Sequence, residues 1–513
     1  MNILLTAINA KYIHSNLAVY SLRACAGEYR DAVELAEYTI NNQKDYILEE
    51  LYKRKPDVLC FSCYIWNIDY VTDIAREYKK LCPSVPIWVG GPEVSYEVEA
   101  FLRENPYIDG VMIGEGEDTF RELCGYYAHK RKLSDIAGIA FRKNSTGNST
   151  SVNNIGGNKA GEIVFTSPRP IKNMSEIPFC YDTLDDFSNR IIYYESSRGC
   201  PFSCSYCLSS VDKTLRFRDT EIVKKELKFF IDQKVPQIKF VDRTFNCNHA
   251  HAMELWRFIK ANDNGVTNFH FEISADLLNQ EELELISDMR PGLIQLEIGV
   301  QSTNDVTIKE IHRTMKLERL KEVVRLIQSG NNIHEHLDLI AGLPYEDYDS
   351  FGRSFDEIYE LKPNQLQLGF LKVLKGSYMF EHAAEYGIVY HDKPPYEVMS
   401  TKWLSFDDVI KIKRVEEMLE VYYNSGQFEI TMKLMECIFD SAFEFFQELG
   451  DFYEANGYFG MSHSRIRRCE ILLEFLALYL HGCDSDDMAS VGLSGNAGDR
   501  DNTDFDENAQ IYK

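Results

Sequence analysis

The sequence comprises 513 residues, with 55 Lys and Arg against 80 Asp and Glu, which gives a formal net charge of −25. Hydrophobic residues make up 44% and charged residues 26%, values that are ordinary for globular domains and exclude a collagenous or wholly disordered chain. The length suggests about three domains. The acidic balance argues against broad binding to nucleic-acid phosphates, which requires clustered Lys and Arg, but it leaves room for a local basic cleft.

No run of about 18 apolar residues is present, so the sequence predicts no transmembrane helix. Residues 1–7 lack a basic stretch and are interpreted as a first strand rather than a signal peptide, which predicts a cytoplasmic protein. The 13 cysteines are odd in number and scattered, unlike a disulfide framework. In a reducing compartment we expect most of them to be buried, and any tight cluster to bind a metal or serve catalysis.

Residues 1–135 alternate short apolar runs with amphipathic stretches. Strands are predicted at 3–7, 57–64, 86–89 and 110–113, and helices at 16–28, 71–81, 96–104 and 118–129. The alternation predicts an α/β domain, Rossmann-like, with a doubly wound parallel sheet and helices on both faces. In such sheets ligands bind beyond the carboxyl ends of the strands.

Residues 136–185 are interpreted as a hairpin followed by a linker. The hairpin strands are predicted at 138–142 and 162–165, and the stretch between them is rich in Ser, Asn and Gly, which predicts a flexible loop tip. Three prolines at positions 168, 170 and 178 mark the linker.

Residues 186–380 resume the alternation of strands and helices. Strands are predicted at 191–195, 237–241, 270–274, 293–300, 334–340 and 365–371, and helices include 220–232, 317–330 and 348–360. Six such units predict a partial (βα)6 barrel, in which chemistry takes place at the carboxyl ends of the strands.

Residues 381–482 are predicted to form an α-helical C-terminal domain, with continuous helical character over 395–481. Aromatic residues occur there at helical spacing, and aromatic stripes of this kind are more often core than cofactor site. The stripe consists of Phe439, Phe443, Phe445, Phe446, Phe452 and Tyr453. Residues 483–513 are acidic and rich in Gly, Ser and Asn, which predicts a disordered tail.

Three cysteines with the spacing Cx3Cx2C follow directly on a predicted strand: Cys200, Cys204 and Cys207. A loop this short can gather three thiolates around one metal centre. A zinc site would need a fourth ligand, for which Cys247 and His249 are the next candidates along the chain. A [4Fe–4S] cluster held by three cysteines leaves one iron free for a non-protein ligand. Three unrelated buried cysteines are the remaining alternative.

The motif, with Tyr206 as its aromatic residue, resembles the signature of the radical S-adenosylmethionine (SAM) enzymes. Further segments resemble other elements of that superfamily in the right order: FVDRTF at 240–245, LEIGVQS at 296–302, DLIAGLPYE at 338–346 and LKGS at 374–377. The resemblance implies that the three cysteines ligate a [4Fe–4S] cluster at which SAM binds and is cleaved to a 5′-deoxyadenosyl radical. It also implies candidate SAM contacts, namely Asp242, Glu272, Glu297, Gln301, Ser302 and Gly342.

The N-terminal domain resembles the cobalamin-binding domain found in one branch of the radical SAM enzymes. The matching residues are Ser62, Gly90, Gly91, Gly114, Glu115 and Gly116. Glycines at strand ends let the backbone approach a bulky nucleotide tail. Read without the resemblance, both glycine pairs could be tight turns only.

The match departs from the usual cobalamin domain after the first strand. The familiar Asp-x-His-x-x-Gly motif, whose His ligates cobalt from below, is replaced by NAKYIHSN at 9–16. The lower ligand of cobalt is therefore open between His14, water and none, and an isolated His of this kind is more often a satisfied polar residue. The second element also differs, because Ser62-Cys63-Tyr64 replaces Ser-x-Leu.

A rival interpretation makes Cys60 and Cys63 a second metal site, as in the methylthiotransferases. Those proteins carry three separated N-terminal cysteines, and the first strand here supplies none. Within a strand, the two thiols would point to opposite faces of the sheet, so both are predicted to be buried structural cysteines.

The family resemblance implies a cobalamin-dependent radical SAM enzyme that modifies an unreactive C–H bond, with methyl transfer as the leading reaction. The implied cofactors are a [4Fe–4S] cluster, SAM and cobalamin, and the implied partner is an electron donor such as flavodoxin or ferredoxin. The alternatives are a non-methylating radical SAM enzyme, which rearranges or oxidises its substrate, and a non-enzymatic cobalamin or cluster sensor. Nothing in the sequence identifies the substrate.

Overall fold

The computed structural model describes residues 1–143, 161–211 and 213–482, apart from the side chains at positions 186, 481 and 482. The chain divides into two compact units, the first spanning Met1–Glu416 and the second beginning at Glu417. Nearly all of the predicted loop tip and the whole predicted acidic tail lie outside the described residues. In the part of the chain that is described, no helix has the length and apolar character needed to cross a membrane.

A seven-stranded sheet forms the N-terminal part of the first unit, in the order β2-β1-β3-β4-β5-β6-β7. Its strands are β1 (Ile3–Asn9), β2 (Val33–Thr39), β3 (Val58–Ser62), β4 (Ile87–Gly90), β5 (Gly110–Met112), β6 (Ile139–Arg142) and β7 (Ile163–Phe165). Its helices are α1 (Leu17–Cys25), α2 (Lys44–Arg54), α3 (Ile68–Leu81), α4 (Val98–Glu104) and α5 (Glu117–Tyr127). The first five strands are parallel, and hydrophobic clusters cover both faces, as predicted.

The prediction missed β2 and α2, because it placed no element between residues 28 and 57. β2 lies at the edge of the sheet, and its sequence VELAEYT mixes two glutamates into a half-buried pattern, so it lacks the apolar run of a central strand. With β2 in place, the order of the sheet reverses between β1 and β3. That reversal is the point at which doubly wound sheets bind ligands, beyond the carboxyl ends of the strands.

The predicted hairpin is confirmed, but it is not separate from the sheet. β6 pairs antiparallel with β5 and with β7, so the hairpin extends the N-terminal sheet by two strands. It thereby covers the edge that β5 would otherwise expose.

A second sheet of six parallel strands follows, in the order β15-β14-β13-β12-β11-β8. The strands from this part of the chain are β8 (Ile192–Tyr194), β9 (Ser197–Arg198), β10 (Arg216–Phe217), β11 (Gln237–Phe240), β12 (Asn268–Ile273), β13 (Ile294–Gln301), β14 (His334–Ala341) and β15 (Gln365–Phe370). Its helices are α6 (Thr220–Asp232), α7 (His249–Ala261), α8 (Gln280–Ser287), α9 (Asp305–Glu310), α10 (Leu317–Gly330), α11 (Tyr348–Tyr359) and α12 (Tyr378–Glu381). Each of the six strands lies beside the next in chain order, which confirms the predicted partial barrel.

Local sequence explains the sharp ends of the barrel helices. Asp219 caps α6 by accepting hydrogen bonds from the N–H groups of Glu221 and Ile222, at 3.0 and 3.3 Å. Asn279 and Glu282 form a capping box at the start of α8. These caps satisfy N–H groups that the first helical turn leaves without partners.

The region after the barrel contains two short strands, β16 (Val389–Tyr390) and β17 (Val398–Ser400), and four helices. The helices are α13 (Phe406–Leu419), α14 (Glu429–Met435), α15 (Ala442–Ala455) and α16 (Arg465–Gly482). The prediction of continuous helix from residue 395 was therefore wrong for residues 395–405, where β17 pairs with β16. Most of the aromatic stripe is buried in the second unit as a core, with Phe446 fully buried, as predicted.

Candidate active site

The three predicted cluster ligands lie on a loop at the carboxyl end of β8. Cys200 and Cys204 are buried, and Cys207 is half-buried. Burial raises the pKa of the Cys200 thiol, and the neighbouring thiols of Cys207 and Cys204 raise it further. The structure therefore brings the three side chains into one electrostatic neighbourhood at the barrel mouth.

Backbone hydrogen bonds fix this loop from two sides. The N–H of Ser205 donates to the carbonyl of Ile311 at 2.9 Å, and the carbonyl of Ser205 accepts from the N–H of Met379 at 2.9 Å. Cys207 closes a turn by donating to the carbonyl of Cys204 at 3.2 Å. The thiols are thus held on a braced loop, which suits a centre that must not shift during turnover.

Gly199 connects the loop to β9 with a positive φ of 93°. A Cβ at this position would lie 2.6 Å from the carbonyl oxygen of Thr214, so both the conformation and the close backbone approach require glycine. The Cys200 thiol also lies 3.8 Å from the hydroxyl of Thr244, which follows β11.

Arg313 is a cation beside the loop that the sequence analysis did not identify. Its guanidinium donates to the Cys204 thiol at 3.8 Å and to the Tyr206 hydroxyl at 3.4 Å, and it also bonds the carbonyl of Gly299. A positive charge in this position stabilises thiolate over thiol. In the sequence, Arg313 is only an arginine in the segment between β13 and α10, and no spacing rule distinguishes it from a surface arginine.

The donor set fits a [4Fe–4S] cluster, because three cysteines on one loop supply three thiolates and leave a fourth iron for another ligand. Across residues 1–143, 161–211 and 213–482, no group of three or more His, Cys, Asp and Glu side chains is arranged so that it could hold a metal ion. The fit therefore rests on the thiol set and its braced loop.

Of the six predicted SAM contacts, Asp242, Gln301, Ser302 and Gly342 end or follow barrel strands, whereas Glu272 and Glu297 lie within β12 and β13. Gln301, Ser302 and Gly342 lie at the carboxyl ends of β13 and β14, next to the barrel mouth. Gln301 has a positive φ of 77° and a buried side-chain oxygen without a hydrogen-bond partner in the described structure, so it has unused binding capacity. Ser302 is fully buried and donates to Glu346 at 2.6 Å.

The carboxylate of Asp242 is hydrogen-bonded to the segment that leads to the cysteines. Its carboxylate accepts hydrogen bonds from the Ser196 N–H at 2.9 Å and from the hydroxyls of Ser196 and Ser197, each at 2.6 Å. Burial raises the pKa of Asp242 to about 6. The structure thus gives Asp242 a role in holding the chain before the cysteines, and its direct contact with SAM stays a prediction.

Glu272 and Glu297 lie side by side on the inner face of β12 and β13. Glu297 accepts a hydrogen bond from Lys239 at 2.8 Å and lies 3.0 Å from the Nε2 of His270. Although burial opposes it, these two partners lower the pKa of Glu297 to about 2. Burial raises the pKa of Glu272.

A cavity of about 590 Å³ lies beyond the carboxyl ends of the N-terminal strands. All six predicted cobalamin residues line it: Ser62, Gly90, Gly91, Gly114, Glu115 and Gly116. Its other wall comes from the start of the barrel and includes Glu195, Arg198 and Arg243. The structure therefore brings the N-terminal glycines and the chain entering the cysteine loop to one space.

Two of these glycines are explained by their conformation. Gly91 has a φ of 120°, and a Cβ there would lie 2.4 Å from the carbonyl oxygen of Cys63. Gly114 has a φ of 75° with open space around the missing Cβ, so the conformation alone favours glycine. Both glycines expose backbone to the cavity, as a site for a bulky ligand requires.

A network of charges joins the cavity wall to the cysteine loop. Arg198, two residues before Cys200, donates to Glu117 at 2.8 Å and to Glu195 at 2.7 and 2.9 Å. It lies 3.4 Å from Glu115, which pairs with Arg216 at 2.6 Å. The paired acids raise the pKa of Arg198 although burial lowers it, so the guanidinium stays charged.

His14 follows β1 and lies beside the chain that enters the barrel. Its backbone forms a parallel bridge with Ile191, and its Nδ1 lies 2.7 Å from the Tyr193 hydroxyl. Burial lowers the pKa of His14. The described lining of the cavity does not include His14, so its role as a cobalt ligand gains no support and stays a prediction.

Cys60 and Cys63 are fully buried, as predicted. Cys60 packs in the hydrophobic cluster on one face of the N-terminal sheet, and Cys63 packs in the cluster on the other face. Burial raises the pKa of both thiols, which keeps them protonated. These two cysteines therefore do not form a shared metal site.

Three protein families match consecutive parts of the chain. The B12 binding domain matches residues 3–124, the radical SAM superfamily matches residues 194–358, and a protein family of unknown function (DUF4080) matches residues 384–491. The chain thus carries a B12-binding domain followed by a radical SAM domain. The third match covers most of the helical region after the barrel.

Two named relatives are similar to this chain at low identity. The cobalamin-dependent radical SAM methyltransferase TokK of Streptomyces tokunonensis is 27% identical over 360 residues, which is 66% of this chain and 49% of TokK. A 2-(S-pantetheinyl)-carbapenam-3-carboxylate methyltransferase of Streptantibioticus cattleyicolor is 27% identical over 322 residues, 60% of this chain and 45% of the relative. The chain therefore spans about half the length of these two relatives.

Solved structures confirm the fold. The cobalamin-dependent SAM radical enzyme OxsB, with aqua-cobalamin and SAM bound, superposes with a TM-score of 0.63 at 15% identity over 95% of this chain and 78% of OxsB. The radical SAM methyltransferase TsrM of Kitasatospora setae, with tryptophan and a SAM analogue bound, gives a TM-score of 0.59 at 16% identity over 77% of this chain and 80% of TsrM.

Proposed function

Because the chain belongs to the radical SAM proteins that carry a cobalamin-binding domain, we propose that it is a cobalamin-dependent radical SAM methyltransferase. One observation carries the proposal most directly. The cavity lined by Ser62, Gly91 and the other predicted cobalamin residues reaches the segment that continues into the cysteine loop. A cofactor in that cavity would lie next to the barrel mouth, where methyl transfer to a substrate in the barrel requires it.

The cofactors supply the difficult chemistry, since a [4Fe–4S] cluster with SAM provides radical chemistry and cobalamin provides methyl transfer. Cys200, Cys204 and Cys207 would hold the cluster, and the cavity residues would hold cobalamin. Gln301, Ser302 and Gly342 at the strand ends would bind SAM. An electron donor such as flavodoxin or ferredoxin would supply the electron that SAM cleavage needs.

The contribution of the chain itself is to position these groups. Arg198 ties Glu117 of the B12-binding domain to the segment that ends at Cys200, so one side chain links the two cofactor sites. Arg313 keeps a positive charge beside Cys204. Braced in this way, the two sites keep a fixed separation, which methyl transfer between two bound groups requires.

Anaerobic purification tests the cofactor assignment. We expect roughly four irons per chain, because one cubane cluster contains four. Cys204→Ala should lose the iron, since two thiolates hold a cubane poorly. Cys60→Ala is the matched control, as Cys60 is also buried but packs in the hydrophobic core. Loss of iron in Cys60→Ala but not in Cys204→Ala would overturn the assignment.

Cobalamin binding tests the other half of the proposal. Titration with hydroxocobalamin should give a bound spectrum in the wild-type chain. Gly91→Val should weaken binding at least tenfold, because its side chain would clash with the Cys63 backbone beside the cavity wall and strain a residue with a φ of 120°. Gly265→Val, at a positive φ with open surroundings, is the control for strain alone. Failure of the wild-type chain to bind cobalamin would refute the assignment of the N-terminal domain.

A further inference from the structure

The inner face of the barrel sheet differs sharply in chemistry from its outer face. Outward residues of the central strands are fully buried beneath the helices and, with the exception of Glu335 on β14, apolar, as shown by Phe269, Phe271, Leu296, Ile298, Leu337 and Leu339. Inward residues of the same strands are polar or charged: Lys239, His270, Glu272, Gln295, Glu297, His334, His336, Asp338, Gln365 and Gln367. The alternation has the period of two that a strand with two unlike faces produces.

Contacts between neighbouring strands show that these inward side chains face one space. Lys239 of β11 and His270 of β12 both reach Glu297 of β13, at 2.8 and 3.0 Å. On β14, the Nε2 of His336 lies 3.3 Å from Asp338. We name this set of ten inward residues the polar wall.

The polar wall remains accessible to solvent. The side chains of Lys239, Glu297 and Asp338 are 23%, 21% and 22% exposed, whereas the outward residues of the same strands are almost completely buried. The wall therefore bounds an open space rather than a packed core. A concave space with several convergent polar groups is the usual setting of a small-molecule site.

The wall extends well below the level at which the cysteines and strand ends would hold SAM. His336 lies five residues before the end of β14, about 16 Å along the strand, and His270 lies three residues before the end of β12, about 10 Å. Both histidines are more than nine-tenths buried. Neither Nε2 has an aligned hydrogen-bond partner among the described residues, although each lies close to a carboxylate.

A wall of this composition suits only one type of ligand. Polar groups that lose water without gaining a hydrogen bond are costly, so an apolar molecule in this space would leave the Nε2 atoms of His270 and His336 and one oxygen of Asp338 without hydrogen-bond partners. A ligand with several hydrogen-bond donors and acceptors would satisfy them. Sites for apolar ligands are instead lined mostly by hydrophobic and aromatic side chains.

We propose that the polar wall binds the substrate and that the substrate is a small hydrophilic molecule with several hydrogen-bonding groups, not a lipid or other apolar compound. The inference rests on the proposed function, because it takes the barrel interior as the place of reaction. Lys239 and His336 are the specificity-determining residues, since they belong to the polar wall on β11 and β14 and neither is part of the cysteine loop.

A partition experiment tests the proposal. Metabolites of the native host are separated between chloroform and aqueous methanol, and each fraction is added to the reconstituted holoenzyme with [methyl-d3]SAM and a chemical reductant. The readouts are the rate of 5′-deoxyadenosine formation and the appearance of a deuterated product by mass spectrometry. We expect the aqueous fraction, and not the organic one, to raise 5′-deoxyadenosine formation several-fold.

Variants connect this result to the polar wall. Lys239→Met and His336→Phe should each reduce the stimulation at least tenfold, with iron content per chain measured to show that the variants fold and hold the cluster. Lys260→Met is the matched control, because Lys260 pairs with Asp288 on the outer helices. It should respond to the aqueous fraction like the wild type.

The outcomes separate the substrate class from the reaction type. Stimulation by the organic fraction alone, or by neither fraction, overturns the proposal, and so does an aqueous stimulation that both polar-wall variants retain. The two outcomes for the wild-type chain do not depend on the variants, so they overturn the proposal whether or not the variants fold. Stimulation by the aqueous fraction without any deuterated product would instead uphold the hydrophilic substrate and refute methyl transfer.

Discussion

Gly199 is the position where one added methyl group should disrupt the cysteine loop. Gly199→Ala places a Cβ 2.6 Å from the Thr214 carbonyl oxygen and 3.0 Å from its carbonyl carbon, and both are backbone atoms that cannot rotate away. A positive φ costs a non-glycine residue about 1–2 kcal/mol. Overpacking against fixed atoms adds about 1–3 kcal/mol, so we expect a loss of about 2–5 kcal/mol in local stability.

The matched control for this substitution is Gly265→Ala. Gly265 also has a positive φ, of 74°, but no atom lies within 4 Å of the missing Cβ, so only the strain of about 1–2 kcal/mol applies. Urea denaturation measures the stability of both variants, and iron per chain after anaerobic reconstitution measures the state of the loop. Gly199→Ala should lose stability beyond the control and retain less iron. Equal stability and iron content in the two variants would refute the argument from close approach.

Three further substitutions test individual side chains of the barrel. Asp242→Asn replaces one of the two acceptor oxygens with an NH2 donor, so either the Ser196 N–H or the hydroxyls of Ser196 and Ser197 lose their acceptor, and iron retention should fall. Unchanged iron with weaker SAM binding would show instead that Asp242 contacts SAM. Because the pKa of Glu297 is lowered to about 2, its ion pairs stabilise the fold above pH 4.5, and this stabilisation is lost as the pH falls towards 2. In urea denaturation at a series of pH values, Glu297→Gln should make the fall in the free energy of unfolding over this range smaller by about 3 kcal/mol. An unchanged pH profile would contradict the pairing. Burial raises the pKa of Glu335 to about 8, so its contribution to stability falls as pH rises from 4.5 through 8. Glu335→Gln should therefore gain stability over the wild type between pH 6 and pH 9, and a parallel profile would contradict the raised pKa of Glu335.

The sequence predicted the elements whose patterns are local. The six barrel strands, the hairpin and α6 (Thr220–Asp232) follow from apolar runs, turn residues and helix caps that a short window contains. β2 was missed because an edge strand carries charges among its apolar residues, as Glu34 and Glu37 show. Helix was wrongly predicted at residues 395–405 because β16 and β17 are too short to show the alternation of a strand.

The candidate site shows the same division. The cysteines and the cavity glycines could be predicted because their spacing and chemistry are visible in the chain. Arg313 and the Arg198–Glu117 pair could not, since each depends on residues that lie far apart in sequence and meet only in the folded unit. The hydrogen bonds from Ser196 and Ser197 to Asp242 could not be predicted either. In the sequence, a carboxylate after a strand has the same pattern whether it binds a cofactor or nearby protein groups.

The most direct test of the central claim is the fate of SAM in the reconstituted protein. The chain, loaded with iron, sulfide and cobalamin, is incubated anaerobically with SAM and dithionite, and 5′-deoxyadenosine is quantified by mass spectrometry beside Cys204→Ala. We expect the wild type to form 5′-deoxyadenosine and the variant to form none. Formation of 5′-deoxyadenosine by neither protein, or equally by both, would contradict the assignment of a radical SAM centre to this loop.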